Sequence, residues 1–202
     1  MINDLDRSIA RLLRTSLPKE WADQVRVSFA APDDQFPPQS VTLPAIDLFL
    51  YDVRENLELR SNEVLTQRGP DGRARLVPPP VRVDFSYLVT AWPSESVADP
   101  SEDEHRLLGA VMRTLLRHRA IPAALLEGEL AGQELPLPVS SLQPGRLQSL
   151  GEFWQALGGT PKVALHYTVT VAVPEDAVPA PLVLDKVIDV GLHPRIASTE
   201  DL

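Results

Sequence analysis

The chain has 202 residues, 44% of them hydrophobic and 23% charged, with 28 acidic side chains against 19 basic ones and a net charge of −9. This composition suits one globular domain with its own core and room for an appended arm, and without a run of about eighteen apolar residues it does not span a membrane as a helix. The absence of cysteine excludes disulfides, thiol catalysis and cysteine-ligated metal sites, while the acidic balance argues against a nucleic-acid binder, which needs clustered cations to neutralise phosphate.

The N-terminal Met-Ile-Asn-Asp-Leu-Asp is acidic and lacks the basic-then-apolar layout of a secretory signal, so a cytoplasmic location is expected. Residues 2–16 follow with an amphipathic helical pattern. Ile2, Leu5, Ile9, Leu12 and Leu13 form one stripe, Asp6, Arg7, Arg11 and Arg14 lie off it, and Pro18 closes the helix. Val25, Val27 and Phe29 alternate with Arg26 and Ser28, which predicts a short strand. The proline-rich loop 31–40 leads to a strand over 45–56 that is apolar on both faces. Ile46, Leu48 and Leu50 line one side and Phe49, Tyr51 and Val53 the other, with Asp47 among them, so this strand should be central or covered. Residues 57–60 are expected to extend it after a bend.

Residues 61–80, with Gly69-Pro-Asp-Gly72 and Pro78-Pro-Pro80, predict a long, exposed, hairpin-like excursion. Residues 81–92 form the cleanest strand. Val81, Val83, Phe85, Tyr87 and Val89 point one way and Arg82, Asp84, Ser86 and Thr90 the other, joined by Leu88 and Trp92. Ser101 and Glu104 suggest a capping box for a helix to about Arg119, with Leu108, Val111, Met112, Leu115 and Leu116 on its apolar face. The basic cluster Arg113, Arg117, His118 and Arg119 lies at the end of this helix, where cations complement the dipole. Pro122 to Glu127 can add a helical turn, and 135–142 reads as a proline-interrupted edge segment. Ser149 and Glu152 cap a short Phe153-Trp154 helix that stops at Gly158-Gly159. Val163, Leu165, Tyr167, Val169, Val171 and Val173 are the inward set of the last core strand. The tail 175–202 is broken by prolines and holds one strand-like run, 182–190.

The expected fold class is α+β: a mixed, largely antiparallel sheet with helices packed on one face. The expected division is a domain over 1–174 and a C-terminal arm over 175–202. Ionisable groups do not converge on an evident site. The histidines His105, His118, His166 and His193 fall in no metal-ligand spacing, and His166 shares its strand face with Thr168 and Thr170, as a surface residue would. Asp47 and Asp84 could form an acid pair if they met on one sheet face, although strand aspartates more often mark a solvated or interface face. The glycines form no phosphate-binding pattern. No catalytic, cofactor-binding or metal-binding residue and no cofactor is expected.

Several blocks together resemble a known family. They are the Ile-x-x-Leu-x-x-x-Ile helix, Pro44-Ala-Ile-Asp-Leu-Phe-Leu-Tyr-Asp-Val-Arg-Glu-Asn56, Val83-Asp-Phe-Ser-Tyr-Leu-Val-Thr-Ala-Trp92, the Glu-x-His-x-Leu-Leu-Gly-x-Val-Met-x-x-Leu run that starts at Glu104, and Phe-Trp-x-Ala-Leu-Gly-Gly-x-Pro-Lys with its strand ending in Tyr-x-Val-Thr-Val. Over about residues 1–175 the chain is similar to a family once catalogued as a domain of unknown function. Its members include the cap, or tail-terminator, subunits of phage-tail-like contractile injection systems. Some members carry an extra C-terminal immunoglobulin-like domain, whereas this chain ends in the short tail 175–202.

The resemblance implies a non-enzymatic structural protein that forms a ring, a homo-hexamer, on the last inner-tube and sheath rings, stops polymerisation and fixes length. Its expected partners are copies of itself, the tube protein and the sheath protein, with no nucleic acid and no membrane insertion. A monomeric adaptor of a phage-tail-like particle and an enzyme of unknown substrate are the contrasting classes. Loops 31–40 and 61–80 are expected at assembly surfaces. The interface candidates are Arg68, Arg73, Arg75 and Trp92, with Leu182, Leu184, Ile188 and Val190 on the alternating face of a tail that would dock by strand pairing.

Overall fold

The computed structural model describes residues 1–69, 73–94, 96–143, 147 and 149–180. The chain divides into two compact units. One comprises Met1–Ser61 and Pro80–Pro174, and the other unites Asn62–Pro79 with the described residues 175–180.

In the first unit, helix α1 (Ile2–Ser16) and the single turn α2 (Lys19–Ala22) precede strands β1 (Arg26–Ser28) and β2 (Ala45–Glu55). The excursion of the second unit then supplies β3 (Leu65–Arg68) and β4 (Ala74–Val77). The first unit resumes with β5 (Val81–Trp92), α3 (Pro100–Leu116), β6 (Ala120–Ile121), β7 (Leu137–Ser141), α4 (Leu150–Leu157) and β8 (Ala164–Val173). Its sheet runs β1-β2-β5-β8-β7-β6. β1 lies parallel to β2 and the other pairs are antiparallel, so the fold is the expected α+β type with a mixed, mostly antiparallel sheet.

β5 is central. It pairs with β2 from Ala45↔Trp92 to Glu55↔Val83 and with β8 from Val81↔Val173 to Thr90↔Ala164. Its alternation sorts the sheet's two faces. Phe85, Tyr87, Val89 and Ala91 join the core with Ile46 and Leu48 of β2 and Tyr167, Val169 and Val171 of β8. The long helices seal this face: α1 contributes Leu5, Ile9 and Leu13, and α3 contributes Leu107, Leu108, Val111 and Leu115. The Tyr87 hydroxyl donates to Asp6 of α1 at 2.8 Å, which satisfies a polar atom at the edge of this layer.

The opposite face is covered only at one end. There α4 brings Phe153 to 5.9 Å from Phe49. Ser149 caps α4 by accepting from the Glu152 amide at 3.2 Å, and Gly158 ends it in the left-handed region at φ 68°. Gly159 has a different role, because a Cβ there would lie 2.7 Å from the Pro32 carbonyl oxygen. The double glycine thus stops the helix and also lets loop 31–40 lie against it.

Local details depart from the sequence expectation where a nearer residue offered a better partner. Residues 57–59 form a 3-10 turn rather than a strand extension, with the Asn56 side chain accepting from the Leu59 amide. α3 is capped by Asp99, which accepts from the Glu102 amide at 3.0 Å, and Pro100 takes the first helical position in place of the expected Ser101 box. Leu116 is 52% exposed rather than on the apolar face, which Leu107, Ala110 and Thr114 help to fill. β7 is not the last strand, because β6 pairs outside it.

In the second unit β3 and β4 form the anticipated hairpin, Leu65↔Val77 to Arg68↔Ala74. β9 (Val178–Pro179), the start of the tail, adds to the other side of β4 through Leu76↔Val178 and Arg75↔Pro179. The strand-like run 182–190 lies outside the described residues.

Gly159→Ala should lower thermal stability by about 1–3 kcal/mol, the usual scale for forcing extra volume into a closed site. Loop 31–40 should become the first segment to lose protection, measured by thermal melts and hydrogen exchange.

Candidate functional site

The sheet face away from α1 and α3 carries the polar residues singled out in the sequence. Asp47 pairs in register with Thr90, and Asp84 lies six residues back along β5. At about 3.4 Å per residue the two aspartates sit roughly 20 Å apart on the same face. The sheet therefore does not bring them together, and the acid pair does not form.

Asp47 is fully buried, and neither carboxylate oxygen has a hydrogen-bond partner among the described residues. The Ser28 hydroxyl and the Ala30 amide are close enough to ease its burial. The Ala30 N–H is spent on Ser28 Oγ, to which it donates at 3.2 Å. Burial dominates and pushes the Asp47 carboxyl up to about 7.

The uncovered end of this face is an open trough of about 680 Å³. Asp84 is its centre, accepting from Asn56 Nδ2 at 3.1 Å on each oxygen and from Thr170 Oγ1 at 2.6 Å. Ser86 and Thr168 hydroxyls lie 3.2 Å apart. His166 Nδ1 is 3.2 Å from the Tyr51 hydroxyl, and burial lowers the His166 pKa. Arg54 is paired with Asp52 at 2.6 Å, and Glu55 with Arg60 at 2.8 Å. One apolar residue, Leu57, lines it and is 66% exposed. The carboxylates at its centre are thus already held by donors, and the trough presents hydroxyls, an amide and an imidazole to a surface. The sequence carried a signal for this network: alternate polar positions 84 and 86 in one strand and 166, 168 and 170 in another fall opposite each other once the strands pair antiparallel.

Trp92, an interface candidate, is half-buried. It stacks on Phe36 with ring centroids 4.2 Å apart, takes Lys162 over its ring at 4.6 Å, and donates from Nε1 to Thr90 at 2.9 Å. Lys162 also pairs with Glu104 of α3. Loop 31–40 is therefore tied down through Phe36 and Pro32, while Asp34, Gln35, Gln39 and Ser40 stay exposed. Arg68 ends β3, Arg73 precedes β4 and Arg75 lies within it, all in the second unit. Leu182, Leu184, Ile188 and Val190 lie outside the described residues. Beyond Asp47 no described strand covers the outer edge of β2, so residues 49–55 form an open sheet edge.

Among the described residues no cluster of His, Cys, Asp or Glu could hold a metal ion, and no helix is long and apolar enough to cross a membrane.

Residues 4–184 match the Pvc16 N-terminal domain family. The chain belongs to that family. Two solved structures are similar to it. One is the sheath/tube terminator, in the extended state, of the extracellular contractile injection system PVC: TM-score 0.64, 26% identity, covering 95% of this chain and 64% of that one. The other is the tube-terminating cap of the anti-feeding prophage: TM-score 0.62, 27% identity, covering 95% of this chain and 62% of that one. The chain thus spans less than two thirds of the length of either. No curated protein matches it.

The Asp47 shift predicts a specific pH dependence. Its folded-state value of about 7 lies above the ordinary 3.8, so the folded state holds an extra proton between them. Its contribution to stability is therefore full below about pH 4, falls as the pH rises towards 7, and stays low above that. Asp47→Asn should remove this slope and raise stability at pH 8 by up to a few kcal/mol, measured by denaturant unfolding from pH 4 to 8. An unchanged slope would show that Asp47 does not titrate in this window.

Proposed function

We propose that this chain is a non-enzymatic terminator that closes as a homo-hexameric ring on the end of the inner tube and sheath of a contractile injection system, halting polymerisation and fixing length. The observation that carries the reading is the family match over residues 4–184, joined to a fold that follows two terminator structures over 95% of this chain. The surfaces fit an assembly role: a sheet edge left open at 49–55, a polar trough with an exposed leucine, and a second unit made of a hairpin and the start of the tail. Assembly would place the protein in the cytoplasm before it joins the particle.

Within this reading the body over 1–174 sits on the particle, and the hairpin with Arg68, Arg73 and Arg75 faces a tube or sheath neighbour. Trp92, through its exposed half, and the outer residues of loop 31–40 belong to the same contacts. The tail 175–202 is the docking arm. Its Leu182, Leu184, Ile188 and Val190 would supply the apolar face of a strand that adds to an open edge of a neighbouring subunit or of the last sheath ring, as extended segments add to sheets through main-chain hydrogen bonds.

Particles assembled without the chain should lose uniform length, and particles assembled with it should carry a closed ring of copies at one end, counted by mass measurement of isolated ends. A chain that never associates with tube or sheath contradicts the proposal. Truncation after Pro174 should leave a folded body that attaches more than about tenfold less well, the scale of losing a few strand hydrogen bonds. A truncated body that attaches as the full chain does removes the arm from the mechanism.

A further inference from the structure

The outward face of α3 is unlike the rest of this acidic chain. Arg106, Arg113 and Arg117 lie on one exposed stripe, spanning about 16 Å at 1.5 Å per residue, and Arg119 follows just beyond. Among the described residues no carboxylate pairs with any of the four. The helix dipole explains cations in the last turn. It does not explain the like-charged pair Arg113 and Arg117 four residues apart, which weakens an isolated helix.

Two further features of the same stripe are not needed by the fold. Gly109 costs about 1 kcal/mol against alanine in a helix interior, yet a Cβ there would meet only the Arg113 guanidinium, at an ordinary 3.6 Å. Leu116, flanked by arginines, is 52% exposed. A flat spot, an exposed leucine and unpaired guanidinium groups together make a face shaped for close approach by an acidic surface.

The chain itself carries such a surface at the other end of α3. Asp99, Glu102 and Asp103 form the first turn. Phe36 on Trp92, Lys162 over Trp92, and Lys162 paired with Glu104 bring loop 31–40, with Asp33 and Asp34, to the same end. None of these five acids is ion-paired among the described residues. Arg113 and Arg117 thus lie at the opposite end of the 17-residue helix from the acidic patch, with Arg106 between them. Within one copy Arg113 and Arg117 are several turns away from these acids, and two different patches meeting copy to copy give the head-to-tail contact that closes rings.

We propose that the outward face of α3 is the subunit–subunit contact: Arg106, Arg113 and Arg117, with Leu116 and Gly109, dock on the Asp33, Asp34, Asp99, Glu102 and Asp103 end of the next copy. This rests on the ring reading above.

The test uses full-length chains assembled with tube and sheath, scoring capped ends and copies per end. Arg106→Glu/Arg113→Glu/Arg117→Glu should keep its circular-dichroism melt but lose capping by at least about tenfold, because like charges then oppose each other across the contact. Adding Asp34→Lys/Glu102→Lys/Asp103→Lys in the same chain should restore it, and so should mixing the two singly reversed proteins. A triple-arginine variant that caps normally overturns the contact while leaving the ring reading intact. Loss without charge-swap rescue also overturns it, assigning the face to tube or sheath instead. A wild-type chain that forms no ring on particle ends overturns both.

Discussion

Burial of β5 from both sides is the constraint on which the rest of the structure depends. The strand is paired along nearly its whole length by β2 and β8, so its backbone groups are used within the sheet. Its two side-chain faces then have to be covered separately. Phe85, Tyr87, Val89 and Ala91 require the helical layer of α1 and α3. Ser86, Leu88 and Thr90 are also buried, and this second cover comes from different parts of the chain. Slipping the strand by one residue would exchange these two sets, so register, helical layer and second cover are fixed together.

The division of the second face links fold to assembly. One end is closed by α4, loop 31–40 and the Phe36–Trp92–Lys162 stack. Closing it traps Asp47 with neither oxygen satisfied, an unfavourable arrangement for a buried carboxyl. The other end is left open, and there the hydroxyls of β5 and β8 and the Asp84 network stay at the surface. In the proposed ring, the uncovered half-face, the unpaired β2 edge and the outer face of α3 would be the surfaces that meet neighbours. The family match and the terminator-like fold give these surfaces a setting.

Periodicity made much of this legible in the sequence. The stripe of Leu5, Ile9, Leu12 and Leu13 marked α1, and the alternation over 81–92 marked β5 and its inward face. The Ser149 cap and Gly158 stop bounded α4, and the family blocks in 44–56, 83–92 and 150–162 pointed to the terminator fold. What the sequence concealed depends on cross-strand register or on competition between near neighbours. Asp47 and Asp84 looked equivalent, yet register puts them at opposite ends of one face, one buried and one hydrogen-bonded. Asp99 displaced Ser101 as the α3 cap because Pro100, lacking an N–H, fits the first helical position. Trp92 read as an interface anchor, and only the folded chain reveals that Phe36, 56 residues earlier, stacks on it. The pairing of β9 with β4 joins segments about a hundred residues apart, which no local pattern encodes.

The central claim is that this fold works as a closed ring on the end of a tube and sheath. Cryo-electron microscopy of the ends of particles assembled with this chain tests it most directly. The account predicts a six-fold ring of copies at one end, its subunits superimposable on the Met1–Ser61 and Pro80–Pro174 body. A single copy per end, an open or non-cyclic arrangement, or ends that lack this chain altogether would contradict it.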